Sequence, residues 1–226
     1  MEQSSTSAQT LITAYPVSNY NFGAKAAKLE KDRSTQERLS RMEDKYRREG
    51  IRRSVEAVIL VHDHNHPHVL LLQLGSAFFK LPGGRLRPGE DDREGLRRKL
   101  TTQLSPEAAS LAFSWDVADC IGIYWRPNFD VSMYPYLPAH ITRPKEVKKI
   151  FLVPLPEKCY LAIPRNFKIV AVPLFDLYEN SSRYGAILAS LPGLLSRFRL
   201  TLAGATISPA DLEAREVEPS EEQLRH

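Results

Sequence analysis

The chain has 226 residues, of which 42% are hydrophobic and 26% are charged, and its formal net charge is +4. This length and composition predict one mixed domain with ample core material. No apolar run approaches membrane length, and residues 1–13 lack a signal-peptide core, which excludes a membrane protein and a secreted one. The two cysteines, Cys120 and Cys159, lie in apolar, strand-like surroundings, so we expect a soluble, reduced, intracellular protein.

The charge is spread unevenly along the chain. Residues 208–226 hold six acids and two bases, which leaves a net charge of +8 on residues 1–207. Residues 25–53 alone contain eleven Lys or Arg against six Asp or Glu. A basic body suits a polyanionic partner, although a charge run of this kind is also typical of a solvated helix face.

Composition divides the chain into three parts. Residues 1–33 form an N-terminal arm, whose first eleven residues are rich in Ser, Thr and Gln and are expected to be disordered. Residues 12–22 contain three aromatic side chains and a proline, which predicts an extended segment packed against the body. The folded domain then covers residues 34–200, and residues 201–226 form an acidic tail that we expect to be disordered.

The domain is expected to begin with a helix. Ser34 followed by Glu37 is a capping-box pattern, and the helix should run to Glu49 and end at Gly50. Its apolar stripe consists of Leu39, Met42 and Tyr46.

The remaining pattern predicts strands around one central charged helix. Strands 54–62 and 68–74 should form a hairpin across a polar turn. Residues 126–138 are rich in proline and aromatics and should form an irregular loop, and a helix that Pro192 can kink or split is expected over 184–199. Further strands are expected near 117–125, 140–141, 149–155 and 167–173. The fold class is therefore α/β: an α/β/α sandwich with a mixed sheet, plus an N-terminal arm and helix and a C-terminal helix.

Four histidines cluster at the hairpin turn. His62, His64, His66 and His68 suggest a metal site, but the turn interrupts their alternation and no cysteine or carboxylate set completes the ligands. Exposed turn histidines are the better interpretation.

Residues 81–90 contain a paired glycine followed by a Pro-Gly-Glu turn, and a charged helix should follow to about residue 104. This order resembles the opening of a Nudix box: Gly, five residues, Glu, seven residues, then Arg-Glu-apolar-any-Glu-Glu-any-Gly. Gly84, Glu90 and Arg98 fall in register with that pattern. The match then ends. The three helix glutamates and the final glycine are replaced by Lys99, Thr102, Gln103 and Ser105.

The lost glutamates matter because their spacing is what forms a metal-binding surface on the helix. Residues at i, i+3 and i+4 share one helix face, so three glutamates there form an oxygen-rich surface for Mg²⁺, which activates water in hydrolysis. Lys99 reverses the charge at this face, and Glu90 alone cannot hold a catalytic metal. We therefore predict a box kept for the fold, with no cofactor and no hydrolase activity.

Several unusual strings resemble a more specific family, the small Nudix subunit of cleavage factor Im, which acts in pre-mRNA 3′-end processing. The likeness covers roughly residues 12–199. It is carried by residues 15–23, 68–75, 78–84, 124–129, 134–136, 138–142, 144–146, 173–175 and 194–198.

The resemblance implies a Nudix fold used for RNA binding rather than hydrolysis. Members of this family recognise the single-stranded element UGUA, work as homodimers in the nucleus, and bind a large cleavage factor Im subunit that has an RNA-recognition motif. Other 3′-processing factors, such as poly(A) polymerase, are implied as further partners. We found no convincing basic import signal, so nuclear entry should depend on the large subunit.

The family's RNA-contacting positions carry over residue by residue. Glu56 matches a glutamate that reads uracil, Phe78 and Phe79 match a stacking platform, and the main chain of Leu81 matches a base contact. The remaining matched positions are Glu30, Arg38, Tyr184 and Gly185. Two departures stand nearby: Ala77 replaces a family threonine, and Arg85 follows the double glycine where animal proteins have glutamate.

The residue chemistry supports these roles. Sequence-specific RNA proteins stack splayed bases on aromatic rings and read their edges. A carboxylate such as Glu56 distinguishes the N3–H donor of uracil from the acceptor of cytosine, and Arg38 suits a purine acceptor or a phosphate. The alternative for Phe78 and Phe79 is a place in the core, although strand alternation points at most one of them inward.

Two other functions remain open at this point. The chain could be a Nudix hydrolase with a non-standard metal site built from Glu90, Asp91, Asp92 and Glu94, acting on nucleoside diphosphate derivatives. It could also be a purely dimeric scaffold, which would require the surface of Phe78 and Phe79 to be covered. An open cleft that joins Glu56 to the phenylalanine pair would favour RNA binding.

Overall fold

The computed structural model describes residues 11–28, 32, 34–76 and 78–204. Its strands are β1 (Leu11–Ala14), β2 (Tyr20–Lys25), β3 (Arg52–Val58), β4 (Leu60–Asp63), β5 (His66–Leu74), β6 (Phe78–Lys80), β7 (Gly83–Arg85), β8 (Cys120–Arg126), β9 (Glu146–Leu152), β10 (Cys159–Pro164), β11 (Lys168–Pro173) and β12 (Arg199–Leu202). Its helices are α1 (Thr35–Glu49), α2 (Asp92–Leu104), α3 (Leu174–Leu177), α4 (Ser181–Tyr184), α5 (Ala186–Ala189) and α6 (Leu191–Leu195).

The central sheet has the strand order β7-β3-β9-β8. Strands β3 and β9 are parallel, whereas β7 and β8 are antiparallel to their neighbours, so the predicted mixed sheet is confirmed. A second, antiparallel sheet has the order β11-β5-β4, with β6 also paired to β5. Two parallel pairs, β1 with β12 and β2 with β10, join the N-terminal residues to distant parts of the chain.

Helices cover both faces of the central sheet, which confirms the α/β/α layers. Alternation along β3 points Val55 and Ala57 to one face and Val58 to the other. The leucines of α2 are four residues apart, so they lie on one side of the helix and pack into the core on the first face. Helices α3 to α6 pack on the opposite face. The buried leucines are Leu96, Leu100 and Leu104 in α2, and Leu177, Leu188, Leu191 and Leu195 in α3 to α6.

The predicted cap of α1 is confirmed. The hydroxyl of Ser34 accepts a hydrogen bond from the Glu37 amide at 3.1 Å, and the helix ends at Glu49 before Gly50, whose φ is 73°. Helix α2 has an equivalent device, since the Asp91 carboxylate accepts from the second and third amides that follow it.

The hairpin is confirmed for β4 and β5, but the single strand expected over 54–62 is wrong, because residues 54–58 belong to β3 in the central sheet. One histidine of the hairpin was also placed wrongly. His64 and Asn65 form its two-residue turn, and both have positive φ, as a turn matched to the twist of the strands requires. His62 is buried rather than exposed, and its Nε2 lies 2.8 Å from the Ala203 carbonyl oxygen. Within the described residues, no group of three or more His, Cys, Asp or Glu could hold a metal ion.

Three further predictions of secondary structure are wrong. Residues 140–141 form part of a turn that lacks a partner strand. Strand β10 was missed although Cys159 lies in strand-like surroundings, and its pairing with β2, about 140 residues away, leaves no local signal. The helix expected over 184–199 is broken at Gly185, where φ is 83° and ψ is 159°, and again before Pro192, and β12 forms its end.

The ends of the described chain are part of the fold. The described part of the arm contributes β1 and β2, with Ile12, Ala14 and Tyr20 buried. Strand β12 reaches Leu202, two residues into the expected tail, and the rest of the tail beyond Gly204 lies outside the described residues. The division at residues 33 and 200 therefore stays a prediction. No described helix is long and apolar enough to cross a bilayer.

The sharpest steric constraint lies where β7 meets β3. A Cβ added at Gly83 would lie 2.2 Å from the Val55 carbonyl oxygen and 2.7 Å from Glu56 Cα, and Gly83 has a φ of 141°. The Gln103 side chain bonds both polar atoms of the Gly83 backbone: its Oε1 accepts from Gly83 N at 2.9 Å, and its Nε2 donates to Gly83 O at 2.6 Å. Only glycine permits this approach of β7 to β3.

We expect Gly83→Ala to destabilise the protein more than the same change at Gly89. Both glycines have positive φ, but a Cβ at Gly89 would meet nothing within 4 Å. Gly89→Ala should therefore cost only the conformational term of about 1–2 kcal/mol, and Gly83→Ala adds a backbone overlap to that cost. Urea unfolding of both variants measures the difference. Equal free energies of unfolding would show that the contact of β7 with β3 is not tight in solution.

Candidate functional site

A cleft of about 1180 Å³ lies over the part of the central sheet where β3 and β9 carry polar and charged side chains. Alternation along β3 points Arg52, Ser54 and Glu56 into it, and the matching positions of β9 add Glu146 and Lys148. Helix α1, strands β6 and β7, helix α2, the loop 131–134 and the segment from α4 to α5 complete its walls.

The structure brings together seven of the eight positions expected to contact RNA. Glu30 lies outside the described residues. The other seven line this cleft and are Arg38, Glu56, Phe78, Phe79, Leu81, Tyr184 and Gly185. Their roles remain predictions, but they share a single surface although they come from four separate parts of the chain.

Phe78 and Phe79 point in different directions, as strand alternation predicts. The Phe78 side chain is 49% exposed and offers its ring to the cleft. Phe79 packs against the core, and its ring centroid lies 5.0 Å from that of Tyr184. The Phe78 ring is therefore open to the cleft, whereas the Phe79 ring is held between Tyr184 and the core.

Glu56 presents a carboxylate that is already held in place. Its Oε1 accepts a hydrogen bond from Lys148 Nζ at 2.6 Å, and both side chains are largely covered. A carboxylate has several lone pairs, so the pair leaves acceptor capacity for a ligand. Leu81, at the same wall, is buried, so only its main chain can face the cleft.

Beneath Glu56 lies a buried charge network that the sequence analysis missed. Glu146 Oε1 accepts from Ser54 Oγ at 2.6 Å and from Arg52 Nε at 2.9 Å, and its Oε2 accepts from Arg126 Nε at 3.0 Å. Burial alone would raise the pKa of Glu146, but Arg52, the Ser54 hydroxyl, Lys148 and Arg126 lower it to about 2. The network joins β3, β8 and β9 under the cleft.

A signal for this network was present in the sequence. Charged or polar residues alternate in β3 at 52, 54 and 56 and in β9 at 146 and 148. Polar residues at every second position of a buried strand indicate a polar sheet face, although Arg53 and Lys149 at intervening positions weaken the pattern. The pairing of the two strands could not be read from that pattern.

Tyr184 and Gly185 form the opposite rim. The Tyr184 hydroxyl donates a short hydrogen bond to the Asp176 carboxylate. Burial and that hydrogen bond raise the pKa of Tyr184 to about 12, so the phenol stays neutral. The hydroxyl hydrogen is used by Asp176, and the tyrosine ring packs against that of Phe79. Gly185 is exposed and nothing lies within 4 Å of an added Cβ, which leaves room for a close approach by a ligand.

The Nudix-box positions have other partners in this structure. Glu90 Oε1 accepts from Arg98 Nε at 2.6 Å and Glu90 Oε2 accepts from Arg98 Nη2 at 2.7 Å and from the Arg87 amide at 2.8 Å. The hydrogen bonds of Arg98 are the largest cause that lowers the pKa of Glu90 to about 2. Thr102 donates to the Arg98 carbonyl oxygen, and both polar atoms of the Gln103 amide are bonded to Gly83.

These residues do not fit a divalent metal. The remaining position on that helix face is Lys99, a cation, and the one carboxylate in register is held by an arginine. Hard cations require several oxygen ligands with free lone pairs. The acidic set Asp91, Asp92 and Glu94 does not supply them, because Asp91 caps α2 and Asp92 is bonded to Arg53 and Lys149.

The cleft is strongly basic. Among its described lining residues, ten lysines and arginines stand against three carboxylates, Asp32, Glu56 and Glu146. All three carboxylates are bonded to lysine or arginine. The excess positive charge suits an anionic ligand.

We expect Glu146→Gln to lower the free energy of unfolding by about 3–5 kcal/mol at pH 7, because it leaves Arg52 and Arg126 buried without their anion. The pKa of Glu146 is lowered on folding from its ordinary 4.5 to about 2. The ionised Glu146 carboxylate therefore makes its full contribution to the free energy of unfolding above about pH 4.5, and this contribution is lost as the pH falls toward 2. The difference between wild type and variant should shrink over that window.

Denaturant unfolding at pH 7, 5, 4 and 3 measures this effect. The control is Glu43→Gln, which breaks an exposed pair with Arg47 and should change the free energy of unfolding by no more than about 0.5 kcal/mol. A wild-type to Glu146→Gln difference that stays constant with pH would contradict the linkage.

Comparison with known proteins places this geometry in a family. Residues 10–198 match the Nudix_2 family model, described as nucleotide hydrolase. The chain is 53% identical over 192 residues to the pre-mRNA cleavage factor Im 25 kDa subunit 2 of Arabidopsis thaliana, covering 85% of this chain and 96% of that one. It is 50% identical over 181 residues to cleavage and polyadenylation specificity factor subunit 5 of Dictyostelium discoideum, covering 80% and 90%.

Among solved structures, it matches a Nudix hydrolase from Nitrosomonas europaea with a TM-score of 0.40 and 15% identity, over 70% of this chain and 97% of that one. Relatives of about 50% identity over most of both chains, together with the family model, establish the relationship. The chain belongs to the Nudix_2 family, and within it to the 25 kDa subunits of cleavage factor Im.

Proposed function

We propose that the chain is a non-catalytic subunit of the pre-mRNA 3′-end processing machinery and binds single-stranded RNA with a UGUA-type element in its cleft. The observation that carries this proposal is the open Phe78 ring beside the Glu56 carboxylate in a basic cleft. The names of the two relatives, both subunits of cleavage or polyadenylation factors, supply the process.

The cleft contains the three elements that single-stranded RNA recognition needs. Phe78 offers a ring face on which a base can stack. Glu56 offers an acceptor for the N3–H of uracil, which cytosine lacks. The surrounding lysines and arginines attract the phosphate backbone and position the chain. A protein that served only as a dimeric scaffold would not require an exposed Phe78 ring in a cleft. The exposed ring therefore supports RNA binding over the scaffold alternative.

The absence of catalysis is part of the proposal. Hydrolysis of a diphosphate in a Nudix site requires carboxylates on the face of α2, whereas that face carries Lys99 and a glutamine bonded to backbone. No described carboxylate in the cleft lacks a cationic partner, so the hydrolase alternative receives no support from the geometry.

The oligomeric state and the protein partners are proposed from the chain's membership of this family. We propose a nuclear homodimer that binds a large cleavage factor Im subunit with an RNA-recognition motif, with poly(A) polymerase as a further contact. Purified protein that sediments only as a species of about 26 kDa at micromolar concentration would contradict the dimer.

We expect Phe78→Ala to weaken RNA binding by about 1–3 kcal/mol, which is roughly 5- to 150-fold, because a stacking surface is removed. Its stability should change by no more than about 0.5 kcal/mol, since the ring is half exposed. Phe79→Ala should lose stability as well as binding, because Phe79 packs against Tyr184 and the core.

Fluorescence anisotropy with a UGUA oligonucleotide measures the binding. The matched control is Phe175→Ala, which removes a ring that is 67% exposed and does not line the cleft, so its affinity should equal that of wild type. If folded Phe78→Ala and Phe79→Ala both bind like wild type, the stacking surface is wrong and the scaffold alternative takes its place.

We expect Glu56→Gln to reduce the preference for UGUA over UGCA by about tenfold or more, since hydrogen bonds to a charged group contribute about 1.5–3 kcal/mol. The amide has the same shape, but it can donate as well as accept and therefore no longer rejects cytosine. Affinity for UGUA should fall less than the preference does.

The salt dependence of binding provides the internal control for this variant. No phosphate contact is lost in Glu56→Gln, so the slope of log K against log salt should stay the same. An unchanged preference for UGUA over UGCA in the variant would remove Glu56 from base recognition.

A further inference from the structure

Lys99 is a cation of the cleft that has no ion pair within the part of the chain that the structure describes. Lys99 lies half-buried on α2 and lines the cleft, and within the described residues no hydrogen bond or ion pair reaches its Nζ. It lies directly against the glycine turn, since a Cβ added at Gly84 would be 3.7 Å from Lys99 Cε and 3.8 Å from Nζ. Buried or half-buried lysines are ordinarily paired, because uncovered charge is costly away from water.

The nearby carboxylates cannot satisfy this ammonium. Glu90 is the acid that favours its charge, but both Glu90 oxygens are bonded to Arg98 and to the Arg87 amide. Glu56 is held by Lys148.

Other cations surround Lys99 and oppose its charge. Burial is the largest cause that lowers the pKa of Lys99, followed by the charges of Arg98 and Lys28, with a smaller contribution from Arg52. The ammonium of Lys99 therefore has no ion-pair partner among the described residues and is free to contact an anionic ligand in the cleft.

Two further cations face the same space. Arg38 of α1 and Lys28 both line the cleft, and neither side chain has an ion pair among the described residues. Lys99 lines the same cleft from the helix face where the Nudix pattern has metal-binding glutamates, and the charge of Lys28 is near enough to lower its pKa. Three cations without an ion pair among the described residues match the charge and the several acceptor oxygens of a phosphate group.

We infer that Lys99, with Arg38 and Lys28, forms a phosphate-binding subsite that works without a divalent metal. In a metal-dependent site, Mg²⁺ bridges glutamates and phosphate, whereas here the ammonium takes the place of both and contacts the phosphate directly. The phosphate comes from the backbone of bound RNA or from a free nucleotide, and the RNA case rests on the proposed function.

The first test uses inorganic pyrophosphate, which requires no RNA binding. Titration calorimetry of the full chain in EDTA should show binding, and added Mg²⁺ should not strengthen it. Lys99→Met keeps the aliphatic stem and should weaken binding by about tenfold or more. Lys158→Met removes the same charge from an exposed residue that does not line the cleft, and it should bind as wild type does.

The second test measures the salt slope of RNA binding. Loss of one phosphate contact to a single strand should reduce the slope of log K against log salt by about 0.7. Lys99→Met should show that reduction with the UGUA over UGCA preference intact, and Lys158→Met should not. A reduced slope identifies RNA phosphate as the ligand, whereas weaker pyrophosphate binding with an unchanged slope identifies a free nucleotide.

Thermal unfolding separates this role from a structural one. Lys99→Met should have an equal or higher Tm, because it removes a charge that burial and neighbouring cations disfavour, whereas removal of a structural lysine would lower Tm. If Lys99→Met unfolds, Lys99→Arg keeps the charge and should retain pyrophosphate binding and the salt slope.

Pyrophosphate affinity and a salt slope that are both unchanged in folded Lys99→Met would overturn the subsite. If the wild type binds pyrophosphate but no RNA, the proposed function fails while the subsite stands.

Discussion

The two hydrogen bonds between the Gln103 side chain and the Gly83 backbone join the parts of this structure on which the cleft depends. They attach α2 to β7, and β7 can lie against β3 only because Gly83 has no Cβ. The same contact places Gly84 over Lys99. A position that carries a metal ligand in the Nudix pattern therefore serves here as a structural link, so the turn keeps its shape without a metal.

The positive charge of the cleft follows from the pairing of its carboxylates with lysine and arginine side chains. Glu146 lies at the base, where two arginines and a hydroxyl hold its charge, and this arrangement lets β3, β8 and β9 carry ionised groups in a covered place. Above it, Glu56 is held by Lys148. With its described acids already paired, the cleft has an excess of cations, which suits an anionic ligand.

Packing places two adjacent phenylalanines, Phe78 and Phe79, in different surroundings. Phe78 faces the cleft because Phe79, one residue on, faces the core, and Tyr184 fixes the position of Phe79. The Tyr184 hydroxyl is in turn bonded to Asp176. These contacts hold Phe79 on the core side of β6 and leave the Phe78 ring exposed in the cleft.

Local signals explain most of what could be predicted. The Ser34 cap, the turn at His64 and Asn65, and the glycine pair with its following helix each depend on residues close together in sequence, and each was found where expected. The errors fall where distant residues decide. His62 is buried because the chain near Ala203 returns to cover it, a contact across 141 positions.

The sequence by itself determined the mixed α/β class and the loss of the metal-binding glutamates. It could do so because periodicity, capping and charge reversal are properties of neighbouring residues. Only the tertiary structure decided that β10 pairs with β2, that Glu146 is shared by two arginines, and that Lys99 has no ion pair among the described residues. Those facts depend on which strands and helices meet, and that is set by burial and pairing over the whole chain.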